Sequence, residues 1–318
     1  MGYRKTGRTR LATVLTVAVA AASMLAVTFV LVGCGGGSAP SSSASSSSSS
    51  SASSSSKAKS SNSLDKYSWE ELSRISDEIA AAPNETSAIE IAKSYGLTTA
   101  NGKLDGKQSK TVVLANGKTT AVQVAGIAHD TKTGGGKAGI TFIFRDGVSE
   151  HPMNSKDTNK GGWEKSEMRT YLNSDVLAQL PDDLKQVIVA VDKKTNNAGK
   201  TKSDASVSTT SDKLWLVSAV EMYGQNVGID KASKVNPQIG RNIATVFNAE
   251  GKQYQIFEDI EQAGDRYQSD FLRKCEKSYW WLRSPAPQTD DDFELQSGGS
   301  PMEGGAEASW GVVPFFCI

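Results

Sequence analysis

The sequence predicts an α+β fold on three observations. Apolar residues recur at helical spacing over residues 69–95. Short runs rich in Val, Ile, Thr and Phe follow from residue 110, two of them flanking an Asn-Gly pair. No regular strand–helix alternation runs through the chain, which argues against a doubly wound parallel sheet and against a two-lobed solute receptor. The 318 residues are ample for a core without a metal or disulfide staple.

Two segments precede the folded part. Residues 1–10 carry Arg4, Lys5, Arg8 and Arg10, and Leu11 to Val32 is apolar apart from Thr13, Thr16, Ser23 and Thr28. A basic start, an apolar stretch and small residues before a cut read as a secretory signal. The string Leu31-Val32-Gly33-Cys34 resembles the lipobox of bacterial lipoproteins. That resemblance implies cleavage after residue 33, lipidation of Cys34 and a partner in the lipid bilayer. A diacylated residue meets the two-chain requirement for stable anchoring. The alternative is an uncleaved transmembrane helix, since the run is long enough to span. Both readings put the body outside the cytoplasm. Residues 34–63 are then a linker; 18 of the 26 residues from 38 to 63 are serine. Such a composition cannot bury enough apolar surface to offset ordering entropy and is expected to be a disordered tether. Its coil would reach roughly 25–30 Å.

The chain carries 35 basic and 35 acidic residues, and without residues 1–33 the balance becomes 31 against 35. A mildly acidic body does not suit nucleic-acid binding, which needs a basic face. His129 and His151 are the only histidines, so multi-histidine metal sites and haem-type chemistry are poor expectations. No cofactor is expected.

The body opens near Leu64 with a helical segment, residues 64–104. Ser68 and Glu71 have the spacing of a capping box, with Tyr67 and Leu72 at the staple positions. Trp69, Leu72, Ile75 and Ile79 form the first apolar stripe. Ala88, Ile91, Ala92 and Tyr95 form the second, which Gly96 ends. Thr111–Leu114 and Thr120–Val124 flank Asn116-Gly117, a hairpin signal. The run Gly134-Gly135-Gly136 is not a phosphate loop, because no Gly-Lys-Ser/Thr closes it. Residues 140–144 read as a strand, 161–180 as helix, 187–191 as strand, 192–211 as a polar loop and 214–217 as a buried strand before a short helix from Ser218. Residues 224–256 look irregular, and a loop that long is usually functional or mobile.

The C-terminal third holds two unusual strings, Tyr279-Trp280-Trp281-Leu282-Arg283-Ser284-Pro285 and Gly311-Val312-Val313-Pro314-Phe315-Phe316-Cys317-Ile318. Together with Gly161-Gly162-Trp163, Met168-Arg169, Tyr171-Leu172-Asn173, Leu180-Pro181 and Leu214–Ser218 they form an ordered set. Residues 105–318 thereby resemble a domain of unknown function common in surface lipoproteins of Gram-positive gut bacteria. That family in turn is similar to a divergent C-type-lectin-like fold, shared by formylglycine-generating enzymes and retroelement-diversified variable proteins. The resemblance implies a body of short twisted antiparallel strands with flanking helices. A common terminal form in the group has Arg where this chain has Val313, so a role of that Arg does not transfer.

Function must be read from sites rather than from fold. Formylglycine-generating enzymes hold copper with a close cysteine pair, whereas Cys275 and Cys317 lie far apart in this sequence. Val235-Asn236-Pro237-Gln238 is not a calcium-lectin motif, and no Trp-Asn-Asp occurs. Asp290-Asp291-Asp292 is an oxygen-rich run that reads first as a solvated loop and second as a hard-cation ligand set. Trp280, Trp281 and Trp310 are candidates for a sugar platform. Trp280 and Trp281 point to opposite faces of a strand, so at most one meets a ligand. Arg283 shares the face of Trp281 and is expected to make a structural bond. The strings G-x-S-x-G, H-E-x-x-H and C-x-x-C are missing from the sequence.

The leading expectation is a lipid-anchored, non-catalytic surface module that binds a glycan or a protein. The alternative is an extracytoplasmic enzyme on the formylglycine-generating-enzyme scaffold. Export also permits a disulfide between Cys275 and Cys317, if the Tyr279–Arg283 strand and the terminal strand are antiparallel neighbours. Closing that loop would add about 4 kcal/mol in the chain-entropy model. Two buried free thiols are the other reading.

Overall fold

The computed structural model describes residues 62–197, 206–225, 248–259, 261–263, 266–268, 279–286, 289, 292–297 and 300–318. All belong to one unit, Lys57–Ile318. The leader, Cys34 and most of the serine tract lie outside the described residues, as do Cys275 and most of residues 224–256. The fold is α+β. Among the described residues, no helix is long and apolar enough to cross a membrane.

Helix α1 (Trp69–Ala80) begins with the expected capping box, Ser68 and Glu71 each closing on the other's backbone, and buries Trp69, Leu72, Ile75 and Ile79. Helix α2 (Glu85–Ser94) ends in a Schellman turn. The Leu97 N–H donates to the Ala92 carbonyl at 2.9 Å and the Gly96 N–H to Lys93 at 3.0 Å, with Gly96 at φ +74°.

A four-stranded sheet takes its hairpin from β1 (Ser109–Val113) and β2 (Thr119–Ile127), and adds β3 (Ile140–Phe144) and the terminal β13 (Phe315–Cys317). The order is β1-β2-β3-β13, antiparallel throughout, with Cys317 opposite Thr141. The turn at Asn116-Gly117 closes with Leu114 N–H on the Lys118 carbonyl at 2.9 Å. Both faces of β13 are buried, which is why Phe315-Phe316-Cys317 shows no alternation. Phe316 packs with Trp69 and Phe142 on the helix side. Phe315 packs with Trp215, Tyr254 and Phe257 on the other. Helix α1 is pinned to this sheet by Ser76. Its hydroxyl accepts the Gly139 and Ile140 N–H groups at 3.0 and 3.1 Å and donates to the Ile318 carbonyl.

A second, five-stranded sheet has β4 (Ser149–His151), β9 (Trp280–Pro285), β10 (Asp292–Ser297), β11 (Ser300–Gly305) and β12 (Trp310–Val312), in the order β11-β10-β9-β12-β4. Here β9 and β12 run parallel. Helices α3 (Gly162–Lys165) and α4 (Glu167–Tyr171) and a π-helical turn Leu172–Val176 lie in the expected helical region, and α5 (Asp182–Val187) follows it. A small hairpin, β7 (Glu261–Ala263) and β8 (Arg266–Gln268), stands apart in the pairing.

Three expectations are corrected. The polar stretch 192–211 is not a loop. It forms a hairpin of β5 (Val191–Asn196) and β6 (Val207–Asp212) in full antiparallel register. The strand expected at 187–191 therefore starts at Val191, after α5 has ended at Val187. Leu214–Val217 is buried but extended, bridged to β13 through Trp215 and Phe315 and bonded to β9 by the Arg283 N–H on the Val217 carbonyl, before helix α6 (Ala219–Tyr223).

Candidate functional site

The sheet face that carries Thr141 and Phe315 meets β5, α6 and β9 across a buried charge cluster. Lys193 of β5 extends inward, with Nζ 2.8 Å from Asp130 Oδ1 and 2.6 Å from Glu221 Oε1. It also donates to the Tyr254 hydroxyl at 3.1 Å. Glu221 is the N3 residue of α6 and closes its capping box with Ser218. Arg283 of β9 pairs with Glu221 through Nη1, which also donates to the Leu216 carbonyl at 2.9 Å. Its Nε reaches Thr195 Oγ1 at 2.9 Å, and Nη2 reaches the Lys194 and Glu250 carbonyls at 3.1 and 3.2 Å. All five guanidinium donors are thus used inside the protein. Arg283 is structural, as expected from its position.

Burial by itself would discharge these groups, so neighbours decide their states. Burial raises the Asp130 and Glu221 carboxyls, but nearby cations outweigh it. Lys193 holds Asp130 well below the usual range, and Arg283 with Lys193 lowers Glu221. Burial lowers Lys193, yet Asp130 and Glu221 raise it overall. Glu250 differs. Burial pushes it up to about 7, and Arg283, the Ser284 hydroxyl and the Asn196 N–H at 3.1 Å offset only part. The charges then count as two cations against two full anions, with Glu250 as a third acid near half-ionisation.

Cys317 is a free, buried thiol at the edge of this cluster. Its Sγ lies 3.2 Å from Thr141 Oγ1 and 3.6 Å from Asp130 Oδ2, and burial pushes its pKa well up. The premise of the expected Cys275–Cys317 bond fails. β13 pairs with β3 in the four-stranded sheet, whereas β9 pairs with β10 and β12 in the other. Cys275 itself lies outside the described residues. His129 is stacked on Tyr254 at 3.9 Å, with Nε2 at backbone carbonyls of Lys252 and Gln253. His151 stacks on Tyr171 at 4.0 Å and bonds the Pro152 carbonyl. Asp292 sits in β10, while Asp290 and Asp291 lie outside the described residues.

The sugar-platform candidates separate. Trp280 and Trp281 are both buried, because both faces of β9 are covered. The Trp281 indole N–H donates to the His151 carbonyl at 2.9 Å. Trp310 on β12 is half-buried, and its ring lies 5.1 Å from that of Tyr279, which is 46% exposed. The parallel register sets Gly311 beside Trp280. Tyr279, Trp281 and Trp310 therefore share one sheet face. Met302, also 46% exposed, joins that face through its register with Leu295, which is itself opposite Trp281. The exposed end of this row, Tyr279 with Trp310, is the candidate binding face. Tyr279 was missed as a candidate because nothing in Tyr-Trp-Trp says which ring leaves the sheet. A separate cleft lined by Arg169, Asn173, Ser211 and Lys213 is a weaker candidate. Arg169 there is committed to Asp212 at 2.6 Å and to two carbonyls.

The ordered motifs prove to be fold determinants. Trp163 Nε1 and Arg169 Nε both bond the buried Asp212. Asn173 accepts the Lys213 and Leu214 N–H groups and donates to the Leu214 carbonyl. Gly162 sits at φ +52°, where a Cβ would meet Asn197 Cα at 2.6 Å. The family model "Domain of unknown function (DUF6273)" matches residues 138–318, more than half the chain. The chain belongs to the DUF6273 family. The DUF6273 match starts just before β3 and takes in both strings of the C-terminal third. No curated protein and no solved structure matches this DUF6273 chain.

Proposed function

We propose that this DUF6273 protein is an extracellular lipoprotein held to the cell membrane through lipidated Cys34, and that its domain is a non-catalytic module binding a glycan or a protein. The domain would be a divergent C-type-lectin-like scaffold, a reading supported by its short antiparallel strands and flanking helices. The anchor rests on the lipobox-like Leu31–Cys34 behind a basic, apolar leader.

The observation that carries the binding reading is the pairing of the exposed Tyr279 with the half-buried Trp310 on the five-stranded sheet. Amphipathic rings held at a surface offer contact area at little entropic cost. Among the described residues, the most perturbed acids and bases are buried and engaged in internal contacts, which supports an architectural role for them.

Two experiments test this. Growth with a fatty-acid analogue should label the wild type and not Cys34→Ala; an unlabelled wild type contradicts the anchor. The purified full-length protein on glycan and peptide arrays should retain a ligand unchanged. Conversion of the retained ligand to product would contradict the non-catalytic reading.

A further inference from the structure

The Lys193–Asp130–Glu221 triad does not contribute to the proposed binding face, and its arrangement is that of reactants. The Lys193 nitrogen and an Asp130 carboxyl oxygen are held 2.8 Å apart in the buried interior, with a Glu221 carboxyl oxygen 2.6 Å from the same nitrogen. The Trp215 and Tyr254 rings stand 5.0 and 5.4 Å from Nζ and wall it from water. Asp130 Oδ2 accepts the Thr141 hydroxyl at 2.7 Å and the Tyr254 hydroxyl at 2.9 Å. We propose that Lys193 and Asp130 condense into an intramolecular isopeptide bond, with Glu221 as the proton carrier.

The step balances without an outside reagent. A proton passes from the Lys193 ammonium to Asp130 Oδ1 across the 2.8 Å contact, and the freed Nζ lone pair attacks the now neutral carboxyl at Cγ. Charge developing on Oδ2 is met by the Thr141 and Tyr254 hydroxyls, donors already in place for it. Glu221 Oε1, 2.6 Å from Nζ, then takes a second proton from the nitrogen and passes it to Oδ1, and the Cγ–Oδ1 bond breaks to release water. One ammonium and one carboxylate become one amide and one water, and nothing is oxidised or reduced. Fixed proximity replaces the encounter that makes amide formation slow in solution. The product also removes two charges from a buried site, where charged groups are costly.

Charge balance selects Asp130 over Glu221 as the acyl partner. Condensing Asp130 leaves Glu221 paired with Arg283, whereas condensing Glu221 would strip Arg283 of its ion-pair partner. The bond would join the loop after β2 to the β5–β6 hairpin, 63 positions apart in sequence.

Tryptic digestion of the full-length protein tests the proposal. The amide blocks cleavage after Lys193, so peptide 119–132 should appear joined to peptide 186–194, lighter by one water than their sum. Fragmentation should place the link at Asp130 and Lys193. Recovery of the linear peptides 119–132 and 186–193 in full overturns the proposal, and a link to the peptide containing Glu221 overturns the choice of partner. In Glu221→Gln the linear peptides should predominate while near-ultraviolet dichroism stays native; persistence of the link there removes Glu221 from the mechanism. The wild-type digest decides the bond even if that variant does not fold.

Discussion

Glu250 makes the buried cluster sensitive to pH. Its carboxyl titrates near 7 in the folded protein against an ordinary value of 4.5. Between those values the folded state holds a proton that the unfolded chain has released. Stability from this group is therefore full below about pH 4.5, falls as pH rises, and levels off above about 7, a loss of about 3 kcal/mol. Glu250→Gln keeps an acceptor for the Asn196 N–H and removes the ionisation. Urea unfolding should show the variant less sensitive than wild type between pH 5 and pH 8; parallel pH profiles would show that Glu250 does not titrate in this range. Arg283 is the complementary case. Arg283→Met strands Glu221 and three backbone carbonyls, and should lower stability by about 3–5 kcal/mol in the same assay. A loss under about 1 kcal/mol, the size of an exposed pair, would place the guanidinium outside the core network.

At the scale of elements, the first two helices and the Asn116-Gly117 hairpin were legible because their signals are local. A capping box, a Schellman glycine and an Asn-Gly turn act within a few residues. The β5–β6 hairpin was hidden because its inward positions are polar. Lys193, Thr195, Thr210 and Asp212 alternate with exposed residues as a strand requires, yet they face a charged interior rather than an apolar one. The Trp280-Trp281 pair misled for the opposite reason. Alternation puts two rings on two faces, but it does not say that both faces are covered. The fit of α1 onto the sheet is equally invisible in sequence. Gly139 lies so close to it that a Cβ would meet the Ser76 carbonyl oxygen at 2.0 Å. Gly139→Ala should force α1 off the sheet and cost about 1–3 kcal/mol or more. Thermal unfolding measures it, and an unchanged midpoint would mean that the contact yields freely.

For the folded body, the layout sets a buried charged centre apart from the Tyr279–Trp310 pair on the five-stranded sheet. The centre ties the four-stranded sheet, the β5–β6 hairpin, α6 and β9 into one body through Lys193, Glu221 and Arg283. Those contacts join residues far apart in sequence, so no local pattern announces them. Trp163 and Arg169 secure Asp212, and Asn173 secures Leu214, by contacts of the same long range. Under the proposed reading, binding specificity would rest on the exposed Tyr279 and Met302 and the half-buried Trp310. The most direct test is titration of an array-selected ligand against wild type and the Tyr279→Ala/Trp310→Ala double variant, both checked for native thermal unfolding. The account predicts binding weakened about tenfold or more, the loss of an aromatic anchor. Unchanged affinity in a folded double variant would contradict it.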